Sequence, residues 1–91
     1  MVRIVFPSLI AKVTNGEREV TVSASNLREA LDQLVARYGN PFKERVFDSS
    51  HKPKRFLNFY VNGKNIHFMD YLNTPLSDTD ELTILPSASG G

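Results

Sequence analysis

Few of the 91 residues carry reactive groups, and their spacing narrows the available chemistry quickly. There is no cysteine, which excludes thiolate nucleophiles, thiolate metal sites and disulfides together. The two histidines, His51 and His67, have no metal-ligand spacing and no carboxylate cluster beside them, so zinc is not indicated and both read as surface residues. Asp70, Asp78, Asp80 and Glu81 do not recur at a spacing that would pair two carboxylates for acid–base work, and Asp78 and Asp80 read as turn formers. No Ser-His-Asp order, phosphate-cradling glycine loop or metal motif appears. The run "HKPKR" (His51 to Arg55) gathers cations near Phe56 and Tyr60. It adjoins Asp48 in a chain of formal net charge +1, so it reads as a solvated loop and not as a nucleic-acid patch. What remains is the end, "LPSASGG", where Gly90 and Gly91 carry a carboxylate. Glycine loses the most backbone entropy on ordering and passes where any Cβ would clash. Residues 87–91 are therefore expected to form a flexible tail that serves as substrate for another protein's narrow site.

The remaining chain must hold that tail out. A hydrophobic share of 41% with 23% charged residues is that of an ordinary globular domain, and the length fits one domain, assigned to residues 1–86. The N-terminal "MVRIVFPSLIA" has one basic residue, a proline inside its apolar run and Lys12 where a small-residue cleavage site is wanted. It reads as a first strand and not as a signal peptide. No run approaches the roughly 20 apolar residues of a membrane span. The expectation is a soluble cytoplasmic protein that engages neither membrane nor nucleic acid.

Periodicity supplies the elements. Val2, Ile4 and Phe6 alternate with Arg3 and Val5, and "EREVTVSA" repeats the period with Val20 and Val22. Asn15-Gly16 between them is a hairpin-type turn signal, so two antiparallel strands open the fold. From Asn26 the apolar residues Leu27, Ala30, Leu31, Leu34, Val35 and Tyr38 take the one-faced spacing of a helix. Asn26 caps it, Glu29 reaches back in a capping box, and Gly39 ends it. A short second helix starts at Pro41 and buries Phe42 and Val46. Beyond the loop "DSSHKPKR", the stretch "FLNFYVNGKNIHF" alternates and turns over at Asn62-Gly63, which places His67 in a strand. "LSDTDELTILP" adds a turn and a last strand with Leu82 and Ile84 facing the core. A compact solution for this order is α+β: a mixed sheet rolled over one main helix, with the first and last strands parallel and adjacent, the ubiquitin-like β-grasp.

Over nearly its whole length the chain resembles the ubiquitin-like sulfur carriers. These are the small subunit of molybdopterin synthase, the thiamine-pathway carrier and a longer form that supplies sulfide for cysteine synthesis. The resemblance rests on "NLREALDQL", "FYVNGKNI", "LSDTDELTILP" and the terminal "GG". "RFLNFYVNGKNIHF" and the ending "TILP" look most like the cysteine-pathway form. Molybdopterin-synthase small subunits more often end in two prolines, a small residue or two and Gly-Gly, and Ser87 stands here in place of the second proline.

The resemblance implies a carrier and co-substrate, with no catalysis of its own unless it is the small subunit of a molybdopterin synthase-type complex. An E1-like adenylating enzyme would join the Gly91 carboxylate to AMP from ATP. Sulfide or persulfide would then displace AMP to leave a thiocarboxylate. The acceptor would be a cysteine synthase-like enzyme or the large subunit of molybdopterin synthase. No cofactor is bound by the chain itself; ATP is used by the partner. Gly90 would let the backbone thread, and Pro86 would stop strand pairing and aim the tail outward. Leu85, with Phe6, is the candidate for docking the partner, ordinary core packing being the alternative for both. The alternative is a protein modifier or simple interaction module, with Gly91 in an isopeptide bond or idle.

Overall fold

Alternation along each strand builds a sheet with one buried face. The computed structural model describes residues 1–87. Strand β1 (Val2–Val5) pairs antiparallel with β2 (Glu19–Val22) and parallel with β5 (Glu81–Pro86), as the element order implied. On its other side β5 pairs antiparallel with β3 (Leu57–Val61), and β3 continues into the two-residue β4 (Lys64–Asn65), giving the order β2-β1-β5-β3-β4. The inward set includes Val2, Ile4, Val20, Phe59, Leu82 and Ile84, all buried. Against it lie helices α1 (Leu27–Tyr38) and α2 (Asn40–Val46), whose buried residues Leu27, Ala30, Leu31, Leu34, Phe42 and Val46 join the same core.

Local chemistry starts and stops α1 as its sequence implies. The Asn26 Oδ1 accepts from the Glu29 amide at 2.9 Å, and a Glu29 carboxylate oxygen accepts from the Ser25 amide at 2.8 Å. Gly39, at φ 82°, then takes a conformation open chiefly to glycine, and α2 begins at Asn40, one residue before the expected start, with Pro41 in its first turn where a missing N–H costs nothing. Backbone bonds from Leu27 to Thr74 and from Leu76 to Ser25, each 2.9 Å, tie the start of α1 to the segment before β5.

Two connections depart from expectation. The β1–β2 connection is no tight hairpin. Pro7 lacks the N–H that would extend the ladder, and a 3-10 helix (Ser8–Val13) follows, pinned by the buried Ile10. Asn15 and Gly16 do turn the chain, at φ 56° and 78°, but only after that helix. The second departure is at β4, which stops after Asn65. The Asn65 side chain accepts from the His67 amide at 2.9 Å and opens a 3-10 turn (Ile66–Phe68) that swings Ile66 into the core. His67 therefore sits in that turn and not in a strand; both histidines are exposed, as read from the sequence.

Candidate functional site

β5 is the penultimate station of the chain, and its two faces are chemically distinct. Leu82 and Ile84 are fully buried, whereas Leu85, one residue on, is 44% exposed. Register sets its neighbours: Leu85 stands opposite Asn58 on β3, Thr83 stands opposite Tyr60, and Thr83 also faces Val5 on β1. Paired residues point to the same side of a sheet, so Val5, Thr83, Tyr60 and Leu85 form a part-apolar surface on the outer face. Of these four, sequence reading singled out Leu85. The outward alternation of the other three was the signal available, and it becomes informative only once the strand order is known.

Phe6, expected beside Leu85, is not on this surface. It is 1% exposed and packs edge-on against Tyr38 at 5.9 Å and Phe42 at 6.3 Å between ring centres. Its alternation continues that of Val2 and Ile4, which is the buried parity, so it belongs to the core. Pro86 likewise behaves differently. It does not stop pairing: it stands opposite Leu57, and the Ser87 amide donates to the Phe56 carbonyl at 2.7 Å. Successive strand amides point to opposite sides. With the Ser87 amide facing β3, the Pro86 nitrogen faces the β1 side, where pairing has already ended at Thr83. The missing N–H therefore breaks no bond of the ladder. Gly90 and Gly91 lie outside the described residues.

At the start of β5 the outer face is polar and paired. The Arg3 guanidinium donates to both oxygens of Glu19 at 2.8 and 2.9 Å and to Glu81 at 2.9 Å, bridging β2, β1 and β5. The hydrogen bond to Glu19 and the two carboxylates raise the Arg3 pKa, and the Arg3 hydrogen bond holds Glu19 below its ordinary value. The β3–β4 turn is fastened to the same end of β5. Asn62 donates to Asp80 at 2.8 Å and accepts from the Glu81 amide at 2.9 Å. Asp80 also accepts from the Ser77 amide, the largest cause of its lowered pKa, so it is the turn former its sequence context suggested.

Among the described residues no group of three or more histidines, cysteines or acids is placed to hold a metal ion, and no helix is long and apolar enough to cross a membrane. Asp78 stands near the N-terminal ammonium at 3.8 Å, while Asp80 is bound to Asn62 and Ser77, so the acids are not gathered into a catalytic pair. The arrangement presents a ridge along β5 in which half-buried Val5, Tyr60 and Thr83 lead to the exposed Leu85.

Comparison with known proteins places this geometry. The model of the ThiS family matches residues 4–91. The sulfur carrier protein CysO of Mycobacterium tuberculosis is 35% identical over 92 residues, covering 99% of this chain and 98% of that protein. A chain in the crystal structure of the Amycolatopsis orientalis BexX/CysO complex is 32% identical with a TM-score of 0.86, and each chain is covered completely. The solution structure of small archaeal modifier protein 1 from Methanosarcina acetivorans is similar at a TM-score of 0.84 and 27% identity, covering 99% of this chain and 95% of that one.

Proposed function

The chain belongs to the ThiS family, and from that premise we propose that it is a ubiquitin-like sulfur carrier whose Gly91 carboxylate is the group that carries the sulfur. The observation that carries this reading is a family match that runs through the terminal Gly90-Gly91 of a chain without cysteine. A carboxylate is a poor electrophile. An E1-like partner joins it to AMP with release of pyrophosphate from ATP, making a mixed anhydride. Sulfide then attacks the acyl carbon and expels AMP, leaving a thiocarboxylate; where the donor is a persulfide, the acyl disulfide formed is cleaved by a second thiol, which leaves in a disulfide with the donor sulfur and frees the same thiocarboxylate. The carrier supplies backbone and docking surface and does not catalyse either step.

In this reading the domain ends near residue 86 and the tail from 87 onward reaches into the partner. The outer-face ridge of Leu85 with Tyr60, Thr83 and Val5 docks the activating enzyme, and Pro86 restricts the direction in which the tail leaves. Gly90 passes the partner's narrowest point. Similarity to CysO over the whole chain favours sulfur donation toward cysteine, by way of a cysteine synthase-like acceptor, over donation to a pterin precursor. The protein works in the cytoplasm, where ATP is available to the partner.

Intact-mass measurement after incubation with the cognate activating enzyme, ATP and sulfide tests the proposal. The expected result is a mass increase equal to the replacement of one oxygen by sulfur, absent when Gly91 is deleted. The similarity to small archaeal modifier protein 1 supports a second reading, in which Gly91 is joined to another protein. That reading predicts a product heavier by a whole polypeptide under the same conditions. An unchanged mass with an active enzyme rules out both.

A further inference from the structure

The helical side of the molecule carries a cavity that the carrier function does not use. It has a volume of ≈ 390 Å³ and draws all its lining from the helices and loops, with none from the sheet. Leu31 and Val35 of α1, Phe47 and Leu72 form an apolar floor. Around it stand Arg28 and Asp32 of α1, Lys43 of α2 and His51 of the following loop.

Three observations describe its rim. First, the charged groups at its rim are uncommitted, unlike Arg3, which is paired with Glu19 and Glu81, and Arg37, which is paired with Glu17. Among the described residues the side chains of Arg28, Asp32, Lys43 and His51 make no hydrogen bond or ion pair, although Lys43 is half-buried. Second, the loop that carries His51 is internally fastened. The Asp48 side chain accepts from the Ser50 amide at 2.8 Å and the Lys52 amide at 3.1 Å, and the Lys54 amide donates to Val46 at 2.8 Å. Third, His51 at the rim is itself held in the left-handed region, at φ 61°.

Volume and charge define what fits. The cavity is at the small end of the roughly 300–1,000 Å³ typical of small-molecule pockets. Two cations, Arg28 and Lys43, against one carboxylate, Asp32, leave one net positive charge beside an apolar floor. We propose that this cavity binds a small organic monoanion, a carboxylate whose aryl or alkyl body lies on Leu31, Val35, Phe47 and Leu72 and whose carboxylate oxygens accept from Arg28 and Lys43. Asp32 opposes dianions such as phosphate esters and so selects against them.

The test uses the full chain, labelled for NMR and titrated with 3-phenylpropanoate, with neutral 3-phenylpropanol as the charge control. Saturable shifts concentrated on Leu31, Val35 and Leu72 methyls are expected, with the alcohol binding at least tenfold more weakly. Lys43→Met and Arg28→Met each weaken the carboxylate by about tenfold, the loss of one charged hydrogen bond. Lys12→Met, on the first 3-10 helix and outside the cavity, leaves binding unchanged. All three positions are polar and outside the core, so the variants retain the fold. Shifts that fail to saturate, spread over the surface, appear equally with the alcohol or survive Lys43→Met at full affinity overturn the proposal.

Discussion

Adjacent residues on β5 should fail in different assays, because the strand presents one to the core and the next to solvent. Ile84 is fully buried and Leu85 is 44% exposed. Truncating a buried isoleucine to alanine costs about 2–5 kcal/mol, and a mid-range loss of about 3 kcal/mol lowers Tm by roughly 12–24 °C in a domain of this size. Full burial of a leucine is worth about 1.5–3 kcal/mol, so Leu85→Ala, from a little over half burial, should cost about 1 kcal/mol, or ~4–8 °C. Binding should reverse the order. If Leu85 anchors the activating enzyme, its loss raises Kd at least about fivefold, the effect of an interface residue worth 1 kcal/mol or more. Ile84→Val, a milder core change costing about 0.5–1.5 kcal/mol, keeps the protein folded and should leave Kd near wild type. Thermal denaturation and calorimetric titration with the activating enzyme, on the same preparations, read both quantities. Wild-type Kd for Leu85→Ala, or equal weakening by Ile84→Val, refutes docking through the outer face.

Three further changes follow from the same structure. Gly90→Val should leave Tm within the shift expected for about 0.5 kcal/mol and preserve docking, yet reduce adenylation by orders of magnitude, since a β-branched residue narrows the backbone conformations open to a threaded tail; wild-type adenylation kinetics would sink the threading argument. Asn26→Ala removes the acceptor for the Glu29 amide and should cost about 1 kcal/mol, read as a drop of ~4–8 °C in Tm by circular dichroism. Tyr38 is pushed up to about 12, first by burial and then by its hydrogen bond to Glu17 at 2.7 Å. A group whose folded pKa is raised stabilises below its unfolded value, here 10.0, and loses that contribution as pH rises through about 12. The stability advantage of wild type over Tyr38→Phe, followed by urea midpoints, should therefore shrink across that window, and a constant difference would refute it.

Local physics made much of this protein legible before any coordinates. Alternation at Val2, Ile4, Val20, Val22, Leu82 and Ile84 named the buried sheet face, and the spacing from Leu27 to Tyr38 named the helix with its Asn26 cap and Gly39 stop. Those signals lie within a few residues of one another, so no knowledge of distant partners is needed to read them. Asn62-Gly63 worked the same way: both residues take positive φ, and Val61 faces Lys64 across a two-residue turn.

Tertiary structure decided what depended on neighbours far along the chain. Alternation alone assigns Phe6 to the buried parity, but its packing is set by Tyr38 and Phe42 on the helices, which keeps it off the outer face. Whether Pro86 ends a strand depends on which side its missing N–H faces, and that follows from pairing with β3 and from β1 having ended at Thr83. Arg3 and Glu81 stand 78 residues apart and meet only because the first and last strands are adjacent. The cavity beside His51 is assembled from α1, α2, the loop after it and the turn at Leu72, none of which carries a ligand motif alone. A periodic pattern states which side of an element is apolar, whereas the identity of what covers that side is a property of long-range pairing, and the outer-face ridge and the cavity both belong to it.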